Sequence, residues 1–215
     1  MTTGKSDKPR RRRGRPARTT VQIAETRAQI RAAALRLFQA EGYAAVSMRR
    51  LANEVGCTPM TLYSYFENKI DILHALWDEV LSDLFDRLDR IAAAEPDPVE
   101  RLHAVARGYV HYWLTHRDHY FMVFMSGGLT RADVTGYVRG DHVLARFELF
   151  RTCLADVLGP DTNPPELRVK SEALLCALNG TAHNLITIGG YDWLPPDDLV
   201  REAVTAALRQ DKSTS

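Results

Sequence analysis

The sequence predicts an all-α protein. Apolar residues recur at spacings of three and four along nearly the whole chain and nowhere hold the strict alternation of a half-buried strand. Gly, Pro, Asn and Asp fall between these periodic segments, where they stop one helix and start the next.

The first helix is expected from Thr20 to Glu41, with Ile30, Ala34, Leu37 and Phe38 on one face and Gly42 ending it. Ser47 is placed to N-cap a short helix that buries Leu51 and Val55, and Gly56 stands where a left-handed residue would turn the chain. Thr58-Pro59 opens a second short helix, Pro taking the first helical position where its missing N–H does no harm. Leu62 and Phe66 face inward from it.

Asn68, with Asp71 three residues on, starts a long helix to Ala94 that buries Ile72, Leu73, Leu76, Val80, Leu84, Leu88 and Ile91. At ~1.5 Å per residue it reaches about 40 Å, enough to join two domains. Asp97-Pro98-Val99-Glu100 resembles a capping box and opens a helix to about His116, with Leu102, Val105, Tyr109 and Trp113 along one stripe. A short aromatic helix over 119–125 stops at Gly127-Gly128. Helices over 131–138, 141–158, 166–188 and 197–209 complete the chain.

The 215 residues, 45% of them hydrophobic, suffice for a buried core and exclude a disordered chain. The formal net charge of +1 hides an asymmetry. Residues 1–70 hold 14 Lys/Arg against 5 Asp/Glu, a net +9, and the rest hold 14 against 22, a net −8. A basic head on an acidic body directs the head toward a polyanion. No apolar run approaches the ~18 residues of a membrane span, and the basic N-terminus has no apolar segment behind it, so a cytoplasmic protein is expected. Cys57, Cys153 and Cys176 are scattered and odd in number; they read as reduced thiols in helix or turn interiors, with neither a disulfide framework nor a zinc site. Of the seven histidines only His116 and His119 share a helical spacing, so no metal is expected. No catalytic motif and no phosphate-cradling loop is present, so neither an enzyme nor a cofactor is expected.

Residues 47–66, SMRRLANEVGCTPMTLYSYF, have the form of a helix-turn-helix, whose second helix enters the major groove. Facing Leu51, Val55, Leu62 and Phe66 inward leaves Met60, Thr61, Ser64 and Tyr65 outward, a short, polar and methyl-bearing set suited to base edges and thymine methyls. Tyr63 and Lys69 flank it, placed to hold phosphates. Thr19, Thr20, Ser47 and the helix N-termini, with Thr58 opening the second helix, are expected to add phosphate contacts.

Thr61-Leu62-Tyr63-Ser64-Tyr65-Phe66-Glu67-Asn68-Lys69, preceded by Phe38-Gln39-Ala40-Glu41-Gly42-Tyr43 and followed by Ile70-Asp71-Ile72-Leu73, resembles the DNA-binding domain of the TetR family of ligand-responsive repressors. The resemblance spans roughly residues 23–75. It implies an all-α homodimer, a C-terminal domain holding a small-molecule pocket, and loss of operator binding when that pocket fills. By the same resemblance Thr61, Tyr63 and Lys69 match the family's DNA-contacting positions, and Tyr65 stands where the family often has His.

Arg10-Arg11-Arg12-Arg13-Gly14-Arg15-Pro16 is a second nucleic-acid signal. Gly-Arg-Pro among basic residues is similar to an AT-hook core, so Arg12, Arg13 and Arg15 are expected to follow a narrow A·T minor groove; the plainer alternative is a basic tail that attracts phosphates without reading sequence.

In the acidic body, Tyr109, Trp113, Phe121, Phe124 and Phe147 are candidates for an effector pocket, joined by Asn179 and His183 from a polar face of the 166–188 helix. That face could equally be a dimer seam. Leu178, Leu185 and Ile188 are the expected dimer residues, because a helix apolar in two directions must bury both. The expected organisation is a basic arm over 1–19, a helix-turn-helix domain over 20–67 and an effector and dimerisation domain over 68–215. The expected function is an operator-binding homodimeric repressor released by a small molecule. The alternative is an architectural protein of A·T-rich DNA without an effector.

Overall fold

The computed structural model describes residues 19–138 and 141–209. Among the described residues there are ten helices and no strand: α1 (Thr20–Glu41), α2 (Met48–Val55), α3 (Pro59–Tyr63), α4 (Lys69–Ala94), α5 (Pro98–Thr115), α6 (Arg117–Phe124), α7 (Arg131–Val138), α8 (Asp141–Leu158), α9 (Pro164–Thr187) and α10 (Pro196–Leu208). None is long and apolar enough to cross a membrane.

Local chemistry fixes most of the boundaries. Thr19 caps α1 reciprocally with Gln22, and Asn68 caps α4 reciprocally with Asp71, so two backbone N–H groups that the helix leaves unpaired are satisfied at each start. Asp97 Oδ1 accepts from the N–H groups of Val99 and Glu100, both at 2.9 Å. The reciprocal half of that expected box is absent: the Asp97 N–H donates to Glu95 Oε1 instead. α9 begins at Pro164 and α10 at Pro196, slightly ahead of the expected starts, since the fixed φ of proline already suits the first helical position. α6 begins as soon as α5 ends, with His116 serving as the cap between them.

α5 occupies the middle of the C-terminal bundle, packed by α4, α8, α9 and α10. α1 packs on α2 and α4 and touches α6. Buried side chains form one continuous core from Ile30 to Ala207, and α4 supplies both ends of it: Ile72, Leu73 and Leu76 beside the N-terminal helices, Leu84, Phe85 and Leu88 within the bundle. A second point of contact joins the two regions. Gly128, at φ +86°, lies so near the turn after α1 that a Cβ there would sit 2.9 Å from the Ala44 Cβ. Of the three thiols Cys153 is buried and Cys57 half-buried, but Cys176 is exposed, because it occupies the outer face of α9.

Candidate nucleic-acid interface

α2 and α3 are set by their caps and by one buried face. Ser47 Oγ accepts the Arg50 N–H at 3.1 Å, and Gly56, at φ 75° and ψ 31°, adopts the left-handed turn expected of it. Thr58 Oγ1 accepts the Thr61 N–H at 3.1 Å and lies 2.9 Å from Thr61 Oγ1. Leu51 and Leu62 are fully buried and Phe66 nearly so, in a cluster with Ile30 and Leu37 of α1.

The outward face that remains is Thr58, Met60, Tyr63 and Ser64, with Thr61 half-buried. Met60 is 82% exposed and Tyr63 50%. Ser64 Oγ donates to the Thr61 carbonyl at 2.6 Å, so this hydroxyl and those of Thr58 and Thr61 already hold local bonds. Each retains unused hydrogen-bonding capacity.

Tyr65 is not on this face. It is only 8% exposed and packs into the core. The reason is that α3 ends at Tyr63 and the chain turns at Ser64, so a helical projection carried on to residue 65 aims it the wrong way. Two arginines that sequence reasoning passed over matter here. Arg27 of α1 places its guanidinium 4.2 Å from the Phe66 ring centroid and donates to the Tyr65 carbonyl, bracing the chain after α3. Arg49, exposed on α2, has no ion pair among the described residues.

The other cations of this region are engaged. Arg50 bridges Glu41 and Glu54, both at 2.9 Å, which raises its own pKa and, chiefly through its hydrogen bond, lowers that of Glu54. Arg36 lies 3.7 Å from Glu54, and Arg31 lies 3.1 Å from Glu79. Lys69 donates to the Tyr43 carbonyl, and burial lowers its pKa. The expected groove-following residues Arg12, Arg13 and Arg15 lie outside the described residues.

The effector candidates divide. Tyr109 and Trp113 are wholly buried core: their rings, with Tyr112, Tyr120, Phe124 and Phe150, fill the space in edge-to-face and tilted contacts. Tyr109 donates to Asn179 Oδ1 at 2.7 Å, and burial raises its pKa. His183 Nδ1 lies 2.9 Å from the Tyr120 hydroxyl. Among the described residues the Trp113 Nε1, which is buried, finds no hydrogen-bond partner. Phe121 and Phe124 are each 45% exposed, and Phe147 packs edge-on against Phe85. A hollow of about 510 Å³ opens nearby, against Arg31, Asp78, Glu79, Phe85, Tyr137 and Arg146, none of them a residue expected there.

Of the expected dimer residues, Leu178 is fully buried within its own chain and cannot meet a partner. Leu174, Leu178, Ala182 and Ile186 repeat at four and form the inward face of α9. Leu185 is half-buried and Ile188 is 47% exposed, so both remain available to a partner. His116 and His119 stack at 5.3 Å, but no cluster of metal ligands occurs among the described residues.

Residues 30–76 match the family of bacterial regulatory proteins named tetR. The chain is 31% identical over 111 residues to the HTH-type transcriptional regulator HbdR of Aromatoleum sp. (strain CIB), covering 52% of this chain and 48% of HbdR. It is 36% identical over 80 residues to the HTH-type transcriptional regulator TtgR of Pseudomonas putida, covering 37% and 38%. The chain thus spans about half or less of the curated relatives it matches. The regulatory protein SCO4313 superposes with a TM-score of 0.70 at 16% identity, over 89% of this chain and 99% of that one, which extends the likeness of fold to the C-terminal bundle.

Proposed function

This chain is a member of the tetR family of bacterial regulatory proteins, and from that premise we propose that it is a cytoplasmic homodimeric repressor that binds a palindromic operator and is released by a small organic effector. The observation that carries the DNA reading is α3 itself: a short helix capped by Thr58, pinned by Leu62, and presenting Met60, Tyr63 and Ser64 to solvent. In this reading Met60 and Ser64, with Thr61 at the half-buried edge, meet base edges, while Tyr63, Ser47, Arg49 and Lys69 stand at the margins to meet phosphates. Because the folded cations near α3 are mostly paired, the long-range attraction rests on residues 1–18, which carry eight Lys/Arg and one Asp. Arg12, Arg13 and Arg15 follow the flanking minor groove in this reading.

Leu185 and Ile188 of α9 supply the seam between subunits, and the effector's place is the hollow walled by α4, α7 and α8 rather than the surroundings of Asn179 and His183, whose side chains bond to Tyr109 and Tyr120. A twofold axis there sets two α3 helices about one DNA turn apart, ~34–36 Å. α4 is the lever, since it starts beside α3 and continues through the bundle core. Selection of bound DNA from a random pool, followed by screening of compounds that release it, tests the proposal. A single palindrome released by one compound supports it. Salt-dependent binding to any A·T-rich DNA, unaffected by compounds, would make this an architectural protein instead.

A further inference from the structure

Two hollows open on either side of a single ion pair. The first, about 510 Å³, is walled by Leu81 and Phe85 of α4, Tyr137 of α7 and Val143 of α8, with Arg146 at its rim. The second, about 430 Å³, is walled by Ala32 and Leu35 of α1, Leu76 and Val80 of α4, and Met122 of α6. Arg31 and Glu79 line both, and the Arg31 Nε donates to Glu79 Oε2 at 3.1 Å. The pair is a strut from α1 to α4 at the edge of both hollows, each of a size usual for organic ligands.

We infer that the first hollow binds an amphipathic organic anion, an apolar body bearing a carboxylate, whose head group takes the place of Glu79 on Arg31. Charge and depth decide the class. In the first hollow both arginines are half-buried, whereas Asp78 and Glu79 are exposed, so the positive groups lie deeper than the negative ones. Within the strut the Arg31 side chain is 27% exposed and that of Glu79 is 63%. A pair that open to water contributes little, and its solvent-facing member is the one readily exchanged. An incoming carboxylate restores the bond to Arg31 and brings an apolar body that covers the half-buried Ala75 and Leu81. Arg146, held by Asp86 and Asp89 with its guanidinium 5.5 Å from the Phe85 ring centroid, offers a second planar donor.

This deepens the effector reading above and rests on it for its regulatory meaning: displacing Glu79 removes a polar tie between α1 and α4, whose buried faces stay packed. The binding itself is tested without DNA. The full chain is titrated calorimetrically with 4-phenylbutanoate, 4-phenylbutylamine and 4-phenylbutanol, and with the alkanoates from hexanoate to dodecanoate. The expected result is saturable binding of carboxylates in preference to the amine and the alcohol. Glu79→Gln should tighten carboxylate binding by removing the internal competitor, and Arg31→Gln should weaken it about tenfold or more. Arg146→Gln should weaken it less, and serves in place of Arg31→Gln if that variant melts early.

Preference for the amine, indifference to the head group, no binding by any carboxylate, or binding unchanged in both Arg31→Gln and Glu79→Gln would each overturn the inference. A DNA titration then separates the two readings. Carboxylate binding that leaves the DNA complex intact upholds the site and sinks the effector role assigned to it. Release of DNA by some other compound from a chain that binds no carboxylate sinks the site alone.

Discussion

Lys69 Nζ lies 4.1 Å from the centroid of the Tyr43 ring and donates a hydrogen bond of 2.6 Å to the Tyr43 carbonyl oxygen. The first residue of α4 is thereby fastened to the turn that follows α1, and its charge is held at a defined point beside α3. A free lysine would sample a wide volume; this one is preorganised, at the cost of partial burial that lowers its pKa.

Replacing Lys69 by Met keeps the stem and removes the charge. The expected outcome is weaker binding to operator and random DNA alike, with the salt slope reduced by about one. Loss of the bond to Tyr43 should also lower stability by about 1–2 kcal/mol. Fluorescence anisotropy at several salt concentrations, beside a thermal melt, checks both. A changed preferred sequence with an unchanged slope would contradict the phosphate role.

Thr58 and Met60 should respond in opposite ways. Thr58→Ala removes the acceptor for the Thr61 N–H and should lower stability by about 1 kcal/mol. Met60, at 82% exposure, has little packing to lose. Met60→Ala should therefore leave the melt unchanged and alter base preference at one position of each half-site. A binding-site selection run on both variants distinguishes a cap from a reading residue.

Tyr65→Ala should behave as a core truncation, lowering stability by about 3 kcal/mol or more, because the ring is buried beside Phe66. Tyr65→Phe, which keeps the ring, should retain the wild-type DNA preference. Denaturant unfolding and the same selection assay decide the matter, and a shift in base preference for the Phe variant would restore Tyr65 to the reading face.

On α9, Leu178→Glu and Ile188→Glu are expected to part company. The first buries a charge in the chain's own core and should prevent folding. The second places a charge on an exposed residue, so helical content should survive while the dimer dissociates and tight operator binding is lost. Sedimentation with circular dichroism reads both. A dimeric Ile188→Glu protein would move the seam elsewhere.

Burial, followed by the neighbouring His116, pushes the His119 pKa below its ordinary value near 6.5. The unfolded chain then takes up a proton at a higher pH than the folded one. Stability on this account is fully present above about pH 6.5 and declines as pH falls from there toward the lowered folded-state pKa. His103, lowered mainly by burial, adds a parallel loss. Melting temperatures between pH 7.5 and 5.5 should fall, and His119→Gln should flatten that slope. An identical slope in the variant would remove His119 from the account.

Helix ends were legible in the sequence because their chemistry is local. Ser47, Thr58, Asn68 and Asp97 each cap a helix within three residues of themselves. The burial of Leu62 on α3 was legible for the same reason, and Phe66, three residues past the end of that helix, is buried as its spacing expects. Tyr65 was not, since periodicity does not announce that the helix stops at Tyr63. Leu178 failed differently: α9 is apolar in two directions, and only packing against α5, α8 and α10 settles which direction is inward. The Arg31–Glu79 strut joins residues 48 apart, and no motif signals it.

The approach of Gly128 to Ala44 has a mechanical consequence. The three N-terminal helices are joined to the bundle by the continuous rod of α4, by the touch of α1 on α6, and by a side-chain-free spot that works as a catch. Any pivot of these helices about α4 therefore changes the spacing between Gly128 and Ala44 as well. With a methyl group in place of that hydrogen one of the two turns would have to give way, and the residue itself would be strained at φ +86°.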